Sequence, residues 1–481
     1  MTAVAARSKA VAQMVEASAR GRALMGGTQG MRRKSTTYLP KFTAESQETY
    51  DERLAMSWLF NGYKKAIRDM TGRVFRRPVE LAEETPDDIA EWAKNIDLAG
   101  RDLSTFARDV FQDGLSSGIA YILVDAPARP EQVTRAAVAS MGLRPYLSHI
   151  RVEDVLGWRT ELVSNVTVLA QLRLMESVTE QDPKDEFKGV EIDQVRVLDR
   201  MEAGGVMTRL YRKREGGDGE YVLFAEPTMS DMDDITLVPF YANRTGFFTG
   251  EPMLDDLADC NIAHWQSQSD QRNVLHFARV PILFGSGRQD DEPITISVGQ
   301  MTTANDPAAD LKWVEHSGKA IDAGRQDLKD LEFQMETLGL QLTVARVSSE
   351  SATGAALDAE KETSQLAMTA DSLQDALEQA MIYMLQYAGR DDVTPTVTVN
   401  KEFAVGMMSA QEMAVLLQAV QSGNMSRETF LRELARRGMV ASDLNPQDEA
   451  DRIASASPMM VGEALPLNNG AVDRALAALD Q

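Results

Sequence analysis

Residues 254–280 read LDDLADCNIAHWQSQSDQRNVLHFARV. Leu254, Leu257, Ala258, Asn261, Ile262 and Trp265 recur at the spacing of one helix face. Pro252 stands where a first-turn proline is tolerated, and Pro281 marks the far end. The spacing predicts a helix from Glu251 to Arg279, about 28 residues or roughly 42 Å long. The stretch also holds the chain's one cysteine, Cys260, and two of its four histidines, His264 and His276. Asp256, Cys260 and His264 stand four apart on one stripe, which raises a metal centre. Helix geometry argues against it. Asp256 and His264 lie about 12 Å apart along the axis, against zinc–ligand bonds of about 2 Å. His276 falls roughly 18 Å beyond His264. Cys260 and His264 are read instead as packing or interface residues, and no metal or cofactor is expected.

Downstream, PILFGSG, ITISVG and LKWVEH, between residues 281 and 316, read as a short β and loop region. DAGRQDLKDLEFQMETLG puts Leu328, Leu331, Met335 and Leu338 on one helix face. A polar loop follows. A longer helix, Thr353 to Ala388, carries the stripe Leu366, Leu373, Leu377, Met381, Met384 and Leu385, with Gly389 as its stop. PTVTVNKEF is one more strand. Residues 409–438 read as two helices turning at Gly423, with Ser426 as N-cap. Residues 441–481, acidic and alanine-rich, are expected to be loosely ordered.

Upstream, YDERLAMSWLFNGYKKAIRDMTGRVF predicts one helix with Leu54, Trp58, Leu59 and Ile67 inward, stopped at Arg76-Arg77-Pro78. A helical pair is expected between Pro86 and Ser116. Then the period changes. GIAYILVDAP reads as a buried strand. RPYLSHI, VLAQLRLMESV, DQVRVLDR, VMTRLYRKR and EYVLFAE largely alternate and are separated by turns such as REGGDGE. The class is α+β: a mostly antiparallel sheet flanked by helices, ending near Asn243.

The charge is unevenly placed. The chain of 481 residues carries −23. Residues 1–41 hold eight basic side chains (Arg7, Lys9, Arg20, Arg22, Arg32, Arg33, Lys34, Lys41) and one acid, Glu16, which is +7 and leaves −30 for the rest. So acidic a body repels phosphate, which argues against general nucleic-acid binding. The basic arm is expected either to be a solvated tail or to touch DNA or an acidic partner. No apolar run approaches the roughly 20 residues of a membrane span, and no signal peptide is expected. One cysteine allows no intramolecular disulfide and fits a reducing cytoplasm.

Motifs for catalysis are thin. Gly318-Lys319 lacks the rest of a phosphate loop, and neither G-x-S-x-G nor H-E-x-x-H occurs. Asp182, Glu186 and Lys188 in DPKDEFK form a fragment of a metal-nuclease pattern, but no partner carboxylate at a strand start accompanies them. A charge-rich loop is the better reading, and the chain is not expected to be an enzyme.

EPMLDDLADCNIAHWQSQSDQRNVLHFARVPILFGSG resembles the region of tailed-bacteriophage portal proteins that passes through the stem into the clip. GRQDLKDLEFQMETLGLQLTVARVSSESATGAALDAEKETSQL is similar to the returning stem helix, tunnel loop and long helix of that family. VNKEFAVGMMSAQEMAVLLQAVQSGNMSRETFLRELARRG resembles its closing part. The likeness covers residues 45–440 in order, and is nearest to a branch catalogued as a domain of unknown function.

A basic arm at 1–44, read from its charge, has no counterpart in the family; the resemblance implies an α/β wing at 45–250, a stem helix at 251–279 and a clip at 280–322. A returning stem helix at 323–339, a tunnel loop at 340–352, a long wing helix at 353–389, a helical crown at 390–440 and an acidic tail at 441–481 complete it. It implies a ring of twelve copies at one capsid vertex, assembled in the host cytoplasm, that passes double-stranded DNA. Its partners are the terminase large subunit, a head–tail adaptor, and the major capsid or scaffold protein, with no membrane. Asp327, Asp330, Glu332, Glu336 and Arg346 become candidates to face the channel. Leu257, Ile262, Trp265, Leu328, Leu331 and Met335 become stem-packing residues. The alternatives are another head–tail adaptor, or a nuclease using Asp182, Glu186 and Lys188.

Overall fold

The computed structural model describes residues 3–127, 143–182, 184–214, 219–279, 282–286, 310–314, 319–340, 352–390, 395–401, 403, 410–436, 439–440, 448–449 and 452. Met1–Phe403 form one compact unit and Ala404–Gln481 a second.

The basic arm does not trail into solvent. It folds into α1 (Lys9–Met25) and α2 (Gly27–Lys34), with Ser8 capping α1. Val11, Met14, Leu24 and Met31 are buried, and Arg22 pairs with Glu153 at 2.6 Å and with the buried Asp113. Apolar residues spaced along the arm bury one face of it; Arg7, Lys9, Arg33 and Lys34 stay exposed, and the half-buried Arg20 and Arg22 are paired with carboxylates.

The single helix expected over 50–75 is also corrected. It is two helices, α3 (Gln47–Met56) and α4 (Gly62–Val74). The Ser57 hydroxyl donates back to Arg53 O at 2.8 Å and contacts Ser269 Oγ at 2.8 Å. Asn61 caps α4 by accepting from Lys64 N at 2.9 Å. These local side-chain bonds compete with helix continuation. Leu59 turns inward, whereas Trp58 stays 43% exposed.

Next come β1 (Glu80–Leu81), α5 (Asp87–Trp92) and α6 (Leu103–Ser117). Gly118 ends α6 at φ +83°, where a Cβ would lie 2.1 Å from Glu251 O. Only glycine permits this turn and this approach. β2 (Ile119–Asp125) and β3 (Tyr146–Ile150) follow, then β4 (Val155–Val163), β5 (Val166–Asp182), β6 (Asp185–Arg200), β7 (Val206–Lys213), β8 (Tyr221–Leu223), β9 (Thr228–Ser230) and β10 (Leu237–Tyr241). A small pair, β11 (Arg244–Gly246) and β12 (Thr249–Gly250), closes this part. All pairings are antiparallel. One sheet runs β10-β2-β3, and a larger one runs β4-β5-β6-β7-β8, with β9 also on β7.

β2 is buried from Ile119 to Val124 because both of its faces are covered. Ala120, Ile122 and Val124 join a core with Phe106, Val110 and Phe111 of α6; Ile119, Tyr121 and Leu123 join another with Leu172, Leu174 and Phe248. In β5 the register slips between Arg159/Gln171 and Thr160/Leu169. The extra residue, Ala170, flips the parity, so Leu169 shares a face with Leu172 and Leu174.

The chain continues through α7 (Asp255–Ala278), the antiparallel hairpin β13 (Ile282–Ser286) and β14 (Asp310–Val314), α8 (Lys319–Leu340) and α9 (Ala352–Tyr387). β15 (Val397–Thr398) pairs with β1. Leu366, Leu373, Leu377, Met381, Met384 and Leu385 of α9 are all buried. They share one cluster with Leu24 and Met31 of the arm, Phe106 of α6, Leu257 and Trp265 of α7, and Met335 of α8. A single core therefore runs through segments that the sequence divides at residues 44, 250 and 352. The second unit contains α10 (Ala410–Gln421) and α11 (Arg427–Arg436), turned at Gly423 (φ +75°), with Ser426 Oγ accepting from Thr429 N at 3.0 Å.

Candidate functional site: the paired helices and their hairpin

α7 begins at Asp255, so Pro252 precedes the helix instead of starting it, and it ends at Ala278. α8 starts at Lys319, earlier than the expected 323, and takes four residues from the expected clip. Side chains stitch the two together. Cys260 Sγ donates to Leu331 O at 3.7 Å, Ser267 Oγ donates to Asp327 Oδ2 at 2.5 Å, and Gln271 Nε2 donates to Ile321 O at 2.8 Å. Partners fall along α8 as they rise along α7, so the helices are antiparallel. Gly324 gives Gln271 its room, since a Cβ there would lie 2.1 Å from the amide oxygen.

α7 is held from its other side too. Asn261 is fully buried: Oδ1 accepts from Tyr63 N at 3.0 Å, and Nδ2 donates to Phe60 O at 2.7 Å. Arg20 reaches Asp255 at 2.5 Å and Asp259 at 2.6 Å. Arg53, only 2% exposed, donates to both oxygens of Glu45 at 2.8 Å and to Pro40 O at 2.8 Å, with Asp270 at 3.6 Å. That hydrogen bond from Arg53 holds the Glu45 carboxyl below its ordinary value. Periodicity missed Arg53 and Arg20, because a charged side chain in an amphipathic helix is read as solvated until its partner, distant in sequence, is known.

His264 lies buried between Phe60, with ring centroids 5.3 Å apart, and Glu332 Oε1 at 3.4 Å from Nε2. Burial lowers its pKa, and Glu332 offsets only part of that. Burial likewise raises the Cys260 thiol. Both are packed side chains. Among the described residues no group of His, Cys, Asp and Glu could hold a metal.

Of the expected packing residues, Leu257, Trp265 and Met335 are buried, while Ile262, Leu328 and Leu331 are half-buried. Of the acidic channel candidates, Asp327 and Glu332 turn toward α7. Asp330 accepts from Gln326 Nε2 at 2.8 Å, and Glu336 is exposed. Arg346, ITISVG and most of residues 441–481 lie outside the described residues. Asp182 and Lys188 meet at 3.3 Å on the exposed tip between β5 and β6, with Glu186 beside them. No described helix is long and apolar enough to cross a membrane.

The arrangement defines an α+β protein whose body carries an antiparallel helix pair with a β hairpin between its helices. The family model described as a domain of unknown function, DUF4055, matches residues 252–388, the span from just before α7 to just past α9. No curated protein matches the chain. Among solved structures it is similar to the neck of a native gene transfer agent particle computed with C12 symmetry. That match has 10% identity, covers 78% of this chain and 89% of the other, and has a TM-score of 0.38. It is similar at the same identity and coverage to the neck of the empty particle computed with C6 symmetry, at a TM-score of 0.39.

Proposed function

We propose that this chain is the portal subunit of a tailed-phage-like particle: a ring-forming, non-enzymatic conduit for DNA at a capsid vertex. The observation that carries the reading is the order of α7, the β13–β14 hairpin, α8 and then the long α9, the stem–clip–stem–wing order of the portal family that the sequence resembles. A helix pair rooted at one end in a buried core, with charged outer faces, suits a channel wall. The acidic body favours passage of DNA over retention, since like charges repel within a Debye length of about 8 Å. Terminase and a head–tail adaptor are the partners of the hairpin end in this reading.

Particle mass with negative-stain images tests it. The expected result is a ring of about 0.6 MDa with a central hole, twelve copies of a 53.0 kDa chain. A protein that stays monomeric in the presence of scaffold refutes it. The nuclease alternative predicts Mg²⁺-dependent DNA cleavage that Glu186→Gln abolishes; the portal reading predicts no cleavage with any divalent metal.

A further inference from the structure

β5 and β6 outrun their sheet. β4 pairs with β5 only as far as Leu174, and β7 pairs with β6 only from Gln194 onward. Residues 177–182 and 185–193 therefore pair only with each other, a two-stranded ribbon about 20 Å long at 3.3 Å per residue. Such a ribbon is marginal alone in water and has two open edges. Its tip shows Phe187 at 90% exposure. Of the seven carboxylates along residues 175–193, Glu176, Glu180 and Asp193 pair with Arg196, Arg212 and Lys213, and Asp182 pairs with Lys188, which leaves Asp185, Glu186 and Glu191 as the acidic groups of the tip.

The outer face of the same sheet has the opposite character. Tyr211, Tyr221, Val197, Arg159, Arg173 and Arg209 line a recess of about 390 Å³. Arg209 is neutralised by Asp199 at 2.5 Å. Arg173 spends its Nη1 on the carbonyls of Ala3, Val4 and Ala6 at 2.9, 2.9 and 3.0 Å. Among the described residues neither Arg173 nor the exposed Arg159 has a carboxylate partner. The recess thus offers two uncompensated guanidinium groups beside aromatic rings.

We propose that the acidic ribbon tip of one copy, with Phe187 and Glu186 leading, seats in the arginine- and tyrosine-lined recess of a second copy of this chain. One chain cannot satisfy itself. Arg173 and Asp182 stand nine residues apart on one strand, about 30 Å at 3.3 Å per residue. Tip and recess are different surfaces, so the contact is head-to-tail, the type of interface from which rings are built when the rotation between copies closes. The inference rests on the ring reading for its second copy, and adds which surfaces meet.

Sedimentation velocity of the full chain over a concentration series tests it with Glu186→Arg, Arg159→Glu, the two combined, and Phe187→Ser. Each single change should weaken association at least about tenfold, and the double reversal should recover most of the loss, which a folding defect would not do. A wild type that forms rings with all four variants associating equally well overturns the ribbon contact and leaves the ring reading standing. Single losses without recovery in the double variant overturn the Glu186–Arg159 pairing. A wild type that stays monomeric throughout, with scaffold present, overturns both.

Discussion

Asn261 hangs α7 on the body, and Asn261→Ala measures how much. Its amide accepts from Tyr63 N at 3.0 Å and donates to Phe60 O at 2.7 Å, at 0% exposure. Both partners are backbone groups at the break between α3 and α4, where helix termini leave such groups unpaired. The substitution orphans the Tyr63 N–H, at about 1–3 kcal/mol, while Phe60 O keeps its bond from Gly62 N at 3.2 Å. A water drawn into the vacated space lowers that cost, so a loss of about 1–2 kcal/mol is expected. Amide hydrogen exchange at Tyr63 reads it directly: about 2 kcal/mol of easier opening speeds exchange about 30-fold. Asn261→Asp keeps the acceptor but loses the donor and buries a charge, so it should be at least as damaging near neutral pH. If Tyr63 in Asn261→Ala exchanges within about threefold of wild type, and the thermal midpoint does not move, Asn261 does not hold α7 to the break between α3 and α4.

Further outcomes follow from other sites. Leu331→Pro breaks α8 in its middle, at a cost of about 3 kcal/mol or more, and should abolish ring assembly in the mass measurement; an intact ring refutes the helix pairing. Burial pushes the Asp113 carboxyl up, but the His149 hydrogen bond and the Arg22 charge outweigh it and hold the group below its ordinary value. A depressed folded pKa means stabilisation that is full above the unfolded value of about 3.9 and is lost as pH falls below it. Asp113→Asn should flatten that acid limb in a thermal series and, by stripping Arg22 of a buried partner, cost about 3 kcal/mol near neutral pH. Burial depresses His264 below its unfolded value of about 6.5, so its contribution is full above that pH and declines as pH falls through the folded value. His264→Gln should remove this slope from melting curves between the two values; an unchanged slope refutes the assignment to His264.

Local patterns alone established a good deal. The stripe through Leu257, Ala258 and Trp265, the six buried positions of α9, the alternation in β5 to β7 and the turn at Gly423 with its Ser426 cap are consequences of period and cap chemistry. They are carried by residues within a turn or two of each other, so they are legible in a chain without coordinates. The separation of Asp256, Cys260 and His264 along the helix came from the same source, as helix rise fixes it. Tertiary structure alone decided where charged and polar residues spend their interactions. Arg20, Arg22 and Arg53 look like solvated cations in sequence, yet they pair with Asp255, Asp113 and Glu45. Asn261 looks like an imperfection in an apolar stripe, yet it closes a helix break on another segment. The break after Ser57 and the burial of the arm belong to the same class. An ion pair or cap between residues far apart in sequence leaves no period, because its energy depends on two groups meeting only after the chain has folded around them.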